Sequence, residues 1–386
     1  VRFSTEVRID FSHELALEAI HITKTPEANS MFVRNCWYMA GWSRDFACDD
    51  LKPVTMLNEA IVLYRKSDGG LVALQDRCCH RFAPLSLGRI EQDDLRCMYH
   101  GLKFAPSGKC IEIPGQSKIP PQACVRSYPI VEKYSGAWIW MGDPSRADES
   151  LVPDFVGIDD PRWSMLPGRM DYNANYMLIN DNLLDLSHIP FLHRYSLGAS
   201  LTPEGVSRPV VTRMERAVRI QNWLHAEPSN MIASIPGKRT DIWQTYDFVA
   251  PGVFLLRADM YPEGTSRSFQ EREPSGLEPL HRQFTCQAVT PLTDDRACYF
   301  FAYGPWANEA ELKEPFYQLG LKAFNEDRVM IEAQQRNISL SGNATMLTTA
   351  SDSALSQFRR IMDKLIDDDA HDIAAGPSPR AAQGRA

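Results

Sequence analysis

The chain has 386 residues, 44% hydrophobic and 23% charged, enough to bury sizeable cores, and its length predicts two domains rather than one. A formal net charge of −8 argues against a nucleic-acid partner, which would want a basic face, and no apolar run is long enough to span a bilayer. The first thirty residues show no apolar central segment, so no secretory signal is expected; nine cysteines, an odd number, suit a reducing cytoplasm better than a disulfide framework.

Residues 1–30 read as an N-terminal extension, and 31–145 as a small domain of short strands and turns. Strands at 60–64 and 71–74 flank Ser67-Asp68-Gly69-Gly70, a hairpin signal. Further strands are expected around Phe104, at 111–113 and at 137–141. The Asp/Pro/Ser-rich stretch 146–160 is the expected linker to a second domain at 161–370.

Within the first domain, Cys78 and His80 are followed, after sixteen residues, by Cys97 and His100. Two thiolates and two imidazoles on two loop tips suit a cluster with one iron held by sulfur and one by nitrogen, the neutral ligands raising its reduction potential. A tetrahedral zinc site draws on the same side chains. Zinc motifs more often pair Cys with Cys and His with His, whereas each half here mixes the two. The wording Cys-x-His-Arg and Cys-x-Tyr-His-Gly resembles a Rieske [2Fe-2S] site. Cys79 breaks the Cys-x-His spacing and is expected to be a buried bystander.

The second domain opens with Asn180-Asp181-Asn182-Leu183-Leu184-Asp185-Leu186-Ser187-His188-Ile189-Pro190-Phe191-Leu192-His193. Asp185 and His188, three apart, are expected to share a helix face. His188 and His193 would point about 140° apart on an unbroken helix, and Pro190 between them is expected to break it. Two histidines plus a carboxylate, with positions left open, make the facial triad of non-haem iron(II). The carboxylate candidate is Asp327, on a helix expected at about 309–337. There it aligns with Phe324, Met330 and Ile331, while Glu326 and Glu332 fall off that stripe. A charge on an inward face is costly unless paired or metal-bound; a salt bridge near Arg328 is the other reading of Asp327.

Strands are expected at 209–220, 242–248, 253–258, 283–290 and 296–303, then a last helix at 351–367 and a disordered tail at 371–386. The fold class is therefore α+β: an N-terminal all-β domain, then a helix-grip-like domain with an antiparallel sheet around a long helix. No Gly-x-Gly-x-x-Gly follows a strand, so NAD(P)H is not expected to bind this chain.

From Met31 to about residue 368 the chain resembles the oxygenase component of the Rieske non-haem iron oxygenases. The wording of 180–188, with Thr290-Pro291 and Cys298-Tyr299-Phe300-Phe301, resembles the vanillate O-demethylase, dicamba O-demethylase and chloroacetanilide N-dealkylase group. The resemblance implies a Rieske cluster on Cys78, His80, Cys97 and His100 and a mononuclear Fe(II) on His188, His193 and Asp327. It places Asn182 and Asp185 in the catalytic machinery. It also implies a head-to-tail homotrimer in which Asp185 bridges a cluster histidine and an iron histidine across the interface, with electrons arriving from a ferredoxin and an NAD(P)H-dependent reductase. The implied reaction is O2-dependent hydroxylation of a carbon on an ether oxygen or amide nitrogen, giving oxidative N- or O-dealkylation of an aromatic compound. Ring cis-dihydroxylation is the alternative within the family, and a non-catalytic electron carrier or zinc protein the alternative outside it.

Where dicamba-type members hold a substrate carboxylate with a histidine and an asparagine, the matching positions here are Gln287 and Leu256. Neither carries charge, and a buried uncompensated carboxylate is costly. This predicts a neutral, bulky aromatic such as an N-alkoxyalkyl anilide rather than vanillate or dicamba. Arg257 would serve an anion in a register shifted by one.

Overall fold

The computed structural model describes residues 7–8, 32–197, 206–228, 239–342 and 345–375. Most of the 1–30 extension, and the tail beyond 375, lie outside the described residues. The fold is α+β.

Three small antiparallel sheets build the first half. Trp37–Trp42, Gly136–Trp140 and Ile130–Lys133 form one, in the order Ile130–Lys133, Gly136–Trp140, Trp37–Trp42. A second runs Ser127–Tyr128, Leu71–Gln75, Glu59–Arg65, Lys52–Met56. The third is a run of hairpins: Arg89–Glu91, Asp94–Arg96, Lys103–Phe104 and Cys110–Glu112. Aromatic and β-branched residues fill the central strands, the composition that a pleated surface buried on both faces favours.

The second half is one eight-stranded antiparallel sheet, ordered Val7–Arg8, Val210–Arg213, Ala217–Pro228, Arg239–Val249, Val253–Pro262, His281–Thr293, Arg296–Pro305, Leu166–Tyr172. The strand expected at 209–220 is two strands, because Met214 N bonds Ala217 O across a tight turn. On one face lie helices α1 (Tyr176–Leu184), α2 (Ile189–Leu192), α4 (Lys313–Leu340) and α5 (Ser353–Ala375); α3 is a single turn at Thr265–Ser268. Helix α4 packs on the last strands of the sheet and α5 on the first, with α1 touching both helices. The opposite face is covered by the first half: Trp37, Met39, Trp42, Trp138 and Trp140 pack with Val253, Cys286, Ala288, Phe300 and Ala302. Thr290 Oγ1 donates to Met39 O at 2.7 Å and Trp42 Nε1 to Gly168 O at 3.1 Å, which fix the two halves against each other.

Packing adds to two composition-based expectations. The stretch 146–160, expected as the linker, is packed against the core: Val152 and Phe155 are buried, Phe155 lying 5.4 Å from the Trp138 ring and 6.0 Å from Trp42. The last helix runs past 367 to Ala375, taking the first five residues of the expected tail. Its aspartate run is held by tertiary bonds, Asp369 accepting from Arg34 N and Asn35 Nδ2 at 2.6 Å each.

Candidate metal centres and active site

The loops bearing Cys78/His80 and Cys97/His100 are built alike. In each, the cysteine N–H bonds the carbonyl five residues on (Ala83 or Leu102, 2.9 Å), and its carbonyl accepts from the amide four residues on (Phe82, 2.9 Å; Gly101, 3.0 Å). That fourth residue is left-handed in both, with φ of 57° at Phe82 and 76° at Gly101. At Gly101 an added Cβ would also sit 2.8 Å from Pro114, so glycine is required there. Arg96 holds the second loop through Gly101 O at 2.7 Å and is itself fixed by Glu91 and Glu112.

Both thiols are buried at 2% and 1% exposure, whereas both imidazoles are exposed, with ring centroids 4.5 Å apart. Burial, reinforced by the neighbouring Cys97 thiol and opposed by the His80 amide, pushes the Cys78 thiol up to about 12. Sulfur inside and nitrogen outside fit a two-iron cluster whose imidazole-bound iron faces outward. Cys79 is only half-buried, its thiol raised by burial among Cys110 and Cys124.

The second set is compact. One donor atom from each of His188, His193 and Asp327 lies within 4.8 Å of the others. Asp327 Oδ1 is 3.2 Å from His193 Nε2 and 3.4 Å from His188 Nε2, and it accepts from Asn182 Nδ2 at 3.0 Å. Burial alone would raise this carboxyl, but the two histidines outweigh it and hold it down at about 2. Each histidine donates its other nitrogen away: His188 Nδ1 to Asp185 O at 2.6 Å, His193 Nδ1 to Glu326 Oε2 at 2.8 Å. Both Nε2 lone pairs are thereby aimed at the same small space as the carboxylate, the arrangement a facial triad requires.

The local chain path differs from the expectation at two points. Helix α1 ends at Leu184 and Asp185 is extended (φ −122°, ψ 92°), so the break precedes Asp185 and the two residues do not share a continuous helix. Pro190 sits in the first turn of α2, where its missing N–H costs nothing, and so helps start that helix. The Asp185 carboxylate caps Ser187 N at 2.9 Å, and it is the backbone carbonyl that orients His188. Glu326, which the apolar stripe placed outside the site, bonds His193 and accepts from Ser196 Oγ at 2.6 Å. Its only sequence signal was adjacency to Asp327.

The helix-facing side of the sheet packs against α1 and against α4, which carries Asp327. Leu256 and Gln287 both lie on it, in registers opposite Tyr246 and Phe301. Gln287 is 3% exposed; its Nε2 donates to Thr285 Oγ1 at 3.0 Å and its Oε1 has no partner.

Residues 172–368 match the vanillate O-demethylase oxygenase C-terminal domain and residues 36–129 the Rieske [2Fe-2S] domain. The chain is a Rieske non-haem iron oxygenase. The oxygenase is 41% identical over 346 residues to the toluene-4-sulfonate monooxygenase system iron-sulfur subunit of Comamonas testosteroni, covering 87% of this chain and 97% of that one. It is 31% identical to the oxygenase component of chloroacetanilide N-alkylformylase of Rhizorhabdus wittichii, covering 80% and 87%. Dicamba monooxygenase with non-heme iron and dicamba superposes with a TM-score of 0.73 at 27% identity, covering 88% and 99%. Its cofactors are a [2Fe-2S] cluster and a mononuclear iron. Among the described residues no helix is long and apolar enough to cross a membrane.

Proposed function

We propose that this oxygenase is the terminal component of a system that hydroxylates an alkyl carbon carried by an aromatic ring, with dealkylation where that carbon is bound to oxygen or nitrogen. The observation that carries the proposal is the convergence of His188 Nε2, His193 Nε2 and Asp327 Oδ1, a donor set within 4.8 Å. In this reading these three residues hold the mononuclear iron, and Cys78, His80, Cys97 and His100 hold the cluster. When bound, the cluster supplies single electrons and the iron supplies dioxygen activation. The protein keeps a proton on Nδ1 of each iron histidine through Asp185 O and Glu326, holds Asp327 ionised, and seats the aromatic ring against Leu256.

Glu326→Gln exchanges the charged acceptor of His193 for a neutral one. Iron affinity is expected to fall about 10- to 100-fold with the cluster spectrum unchanged; an unaltered iron content in chelator titration would remove Glu326 from the site. The cluster reading expects a red-brown protein with the reduced-state EPR signal of a mixed Cys/His centre, and His100→Cys to lower its potential or lose it. A colourless, zinc-loaded wild type would refute it.

Assembly as a head-to-tail homotrimer is part of the same proposal. Part of the first half packs on one face of the large sheet through Trp37, Met39, Trp42, Trp138 and Trp140, whereas the iron set is carried by the helices on the other face. Each site has an exposed apolar rim: Phe82, Leu87, Met98 and Tyr99 around the cluster loops, and Phe191, Tyr195, Val329 and Met330 around the iron set. Two unlike patches that cover each other between copies make a heterologous interface, the type from which a closed ring is built. A ferredoxin and an NAD(P)H-dependent reductase are the proposed electron donors. The nine unpaired cysteines support a cytoplasmic setting.

For the substrate, Arg257 is on the far side of its strand, paired with Glu273 at 2.6 Å and Asp259 at 3.2 Å, so it does not share the face of Leu256. From Ala217 to Pro305 no charged side chain shares the rows of Leu256 and Gln287; the nearest in register is Arg213, four strands from Gln287 toward the edge of the sheet. This supports a substrate that is neutral, of the N-alkoxyalkyl anilide type. The second reading, favoured by the relative named for toluene-4-sulfonate, is an arenesulfonate, whose charge is spread over three oxygens. Product analysis over aryl ethers, N-alkyl anilides, toluene-4-sulfonate, vanillate and dicamba, with a competent ferredoxin and reductase, tests both. Preferential demethylation of vanillate or dicamba would refute them.

A further inference from the structure

Three consecutive polar residues lie in the last turn of α1, and each reaches a different element. Asn180 is fully buried and its Nδ2 donates to Pro251 O at 3.1 Å, in the turn between the strands Arg239–Val249 and Val253–Pro262. Asp181 accepts two prongs of the Arg359 guanidinium on α5, Nε to Oδ1 at 3.3 Å and Nη2 to Oδ2. Asn182 Nδ2 donates to Asp327 Oδ1 on α4 at 3.0 Å. Successive side chains on a helix point about 100° apart, so a helix touching both α4 and α5 can bond the two from neighbouring positions. The turn is thereby tied to the sheet and to two helices.

The iron set hangs from this turn. Helix α1 ends at Leu184, and the next residue supplies the carbonyl that accepts from His188 Nδ1 at 2.6 Å. A shift of the turn therefore moves two groups at once: the Asp185 carbonyl that aims His188, and the Asn182 amide on Oδ1 of Asp327. Of the three ties, Asn182 bonds the set itself and Asn180 bonds a neutral carbonyl; only Asp181 makes an ion pair. Arg359 and Asp181 keep 20% and 16% of their side-chain surface exposed, so the pair is largely out of water. A two-pronged guanidinium–carboxylate contact in that setting fixes orientation as well as charge. Its far end is firm: Phe358, next to Arg359, packs edge-on against Phe248 at 4.7 Å, and Ala354, Leu355, Ile361 and Met362 are buried in the same core.

We propose that Arg359 is a positioning residue for the iron site. Through Asp181 it holds the last turn of α1 in the place from which the Asp185 carbonyl and the Asn182 amide preset His188 and Asp327. This rests on the reading of His188, His193 and Asp327 as the iron ligands. Without the guanidinium the Asp181 carboxylate loses its counter-charge while still largely buried, a cost relieved by turning toward water and taking the turn with it.

The test measures Fe(II) affinity by chelator competition, and the EPR spectrum of the nitric oxide adduct of the mononuclear iron, in cluster-loaded enzyme as wild type, Arg359→Met, Arg359→Lys, Asp369→Ala and Asp327→Ala. Arg359→Met should weaken iron about tenfold or more, the loss expected when the support behind a ligand is removed, and should broaden or split the nitric oxide signal because His188 no longer has one orientation. Arg359→Lys keeps the charge without the fork, so its loss should be smaller. Asp369→Ala breaks the contact of the same helix with Arg34 and Asn35, about 15 Å along its axis from Arg359; it should lower Tm yet leave iron affinity and the signal as in wild type. Wild-type affinity and spectrum in Arg359→Met overturn the proposal, as does an equal loss in Asp369→Ala, which would make Arg359 a general stabiliser of α5. Should Arg359→Met not fold, Arg359→Lys decides, and iron binding indistinguishable from wild type there overturns the proposal. With a negative result for Arg359, loss of iron in Asp327→Ala confines the failure to the positioning role; iron retained in Asp327→Ala means the ligand assignment has failed with it.

Discussion

Asp327→Ala is expected to yield a protein with the full Rieske EPR signal, no mononuclear iron and no turnover above background. The carboxylate is the only acidic group facing the two Nε2 atoms among the described residues: Glu326 is engaged with His193 Nδ1, and Glu332 accepts from Asn173 N at 2.9 Å. Removing it leaves two neutral imidazoles, which hold iron(II) far more weakly than a triad containing an anion. Among the described residues, the apolar core around the cluster loops includes none from α4, so the loops should fold unchanged. Iron counted per chain decides the matter: two irons instead of three in the mutant support the assignment, and an unchanged count removes Asp327 as a ligand.

Asp185→Asn should leave both centres filled and slow turnover by about two orders of magnitude, the upper end of what losing an outer carboxylate costs. Asparagine keeps the cap on Ser187 N and the backbone carbonyl that orients His188, so local structure is preserved. What it removes is the charge of a half-buried carboxylate one residue past the end of α1, the group proposed to reach a cluster histidine of the next subunit. The diagnostic measurement is reoxidation of the pre-reduced cluster by O2 with substrate present. It should stall in the mutant, and reoxidation at the wild-type rate would leave Asp185 only its capping role.

The cluster motif was legible because it is local: Cys78 to His100 spans two hairpin loops whose register is set by neighbours in sequence, and donor types and spacing travel together. The strands of the large sheet could be located for a similar reason, since alternation is a property of each segment, although the turn at Met214 inside 209–220 was hidden in an unbroken polar–apolar pattern. Helical phase likewise put Asp327 on the inward face of its helix. Phase also misjudged Glu326, because a flexible glutamate one position round the helix can still reach a histidine lying over the helix edge.

Tertiary structure decided what depends on faces and on distant partners. Only the sheet register shows that Arg257 is turned to the far side and held by Glu273 and Asp259. The end of α1 at Leu184 and the length of α5 follow from contacts, such as Asp369 with Arg34 and Asn35, that no window of sequence contains. Sequence by itself determined which donors exist and which segments carry them. Bringing His188 and His193 to Asp327, more than 130 residues away, was left to packing, because that proximity is a property of α1, α2 and α4 resting on one sheet face and of no single segment.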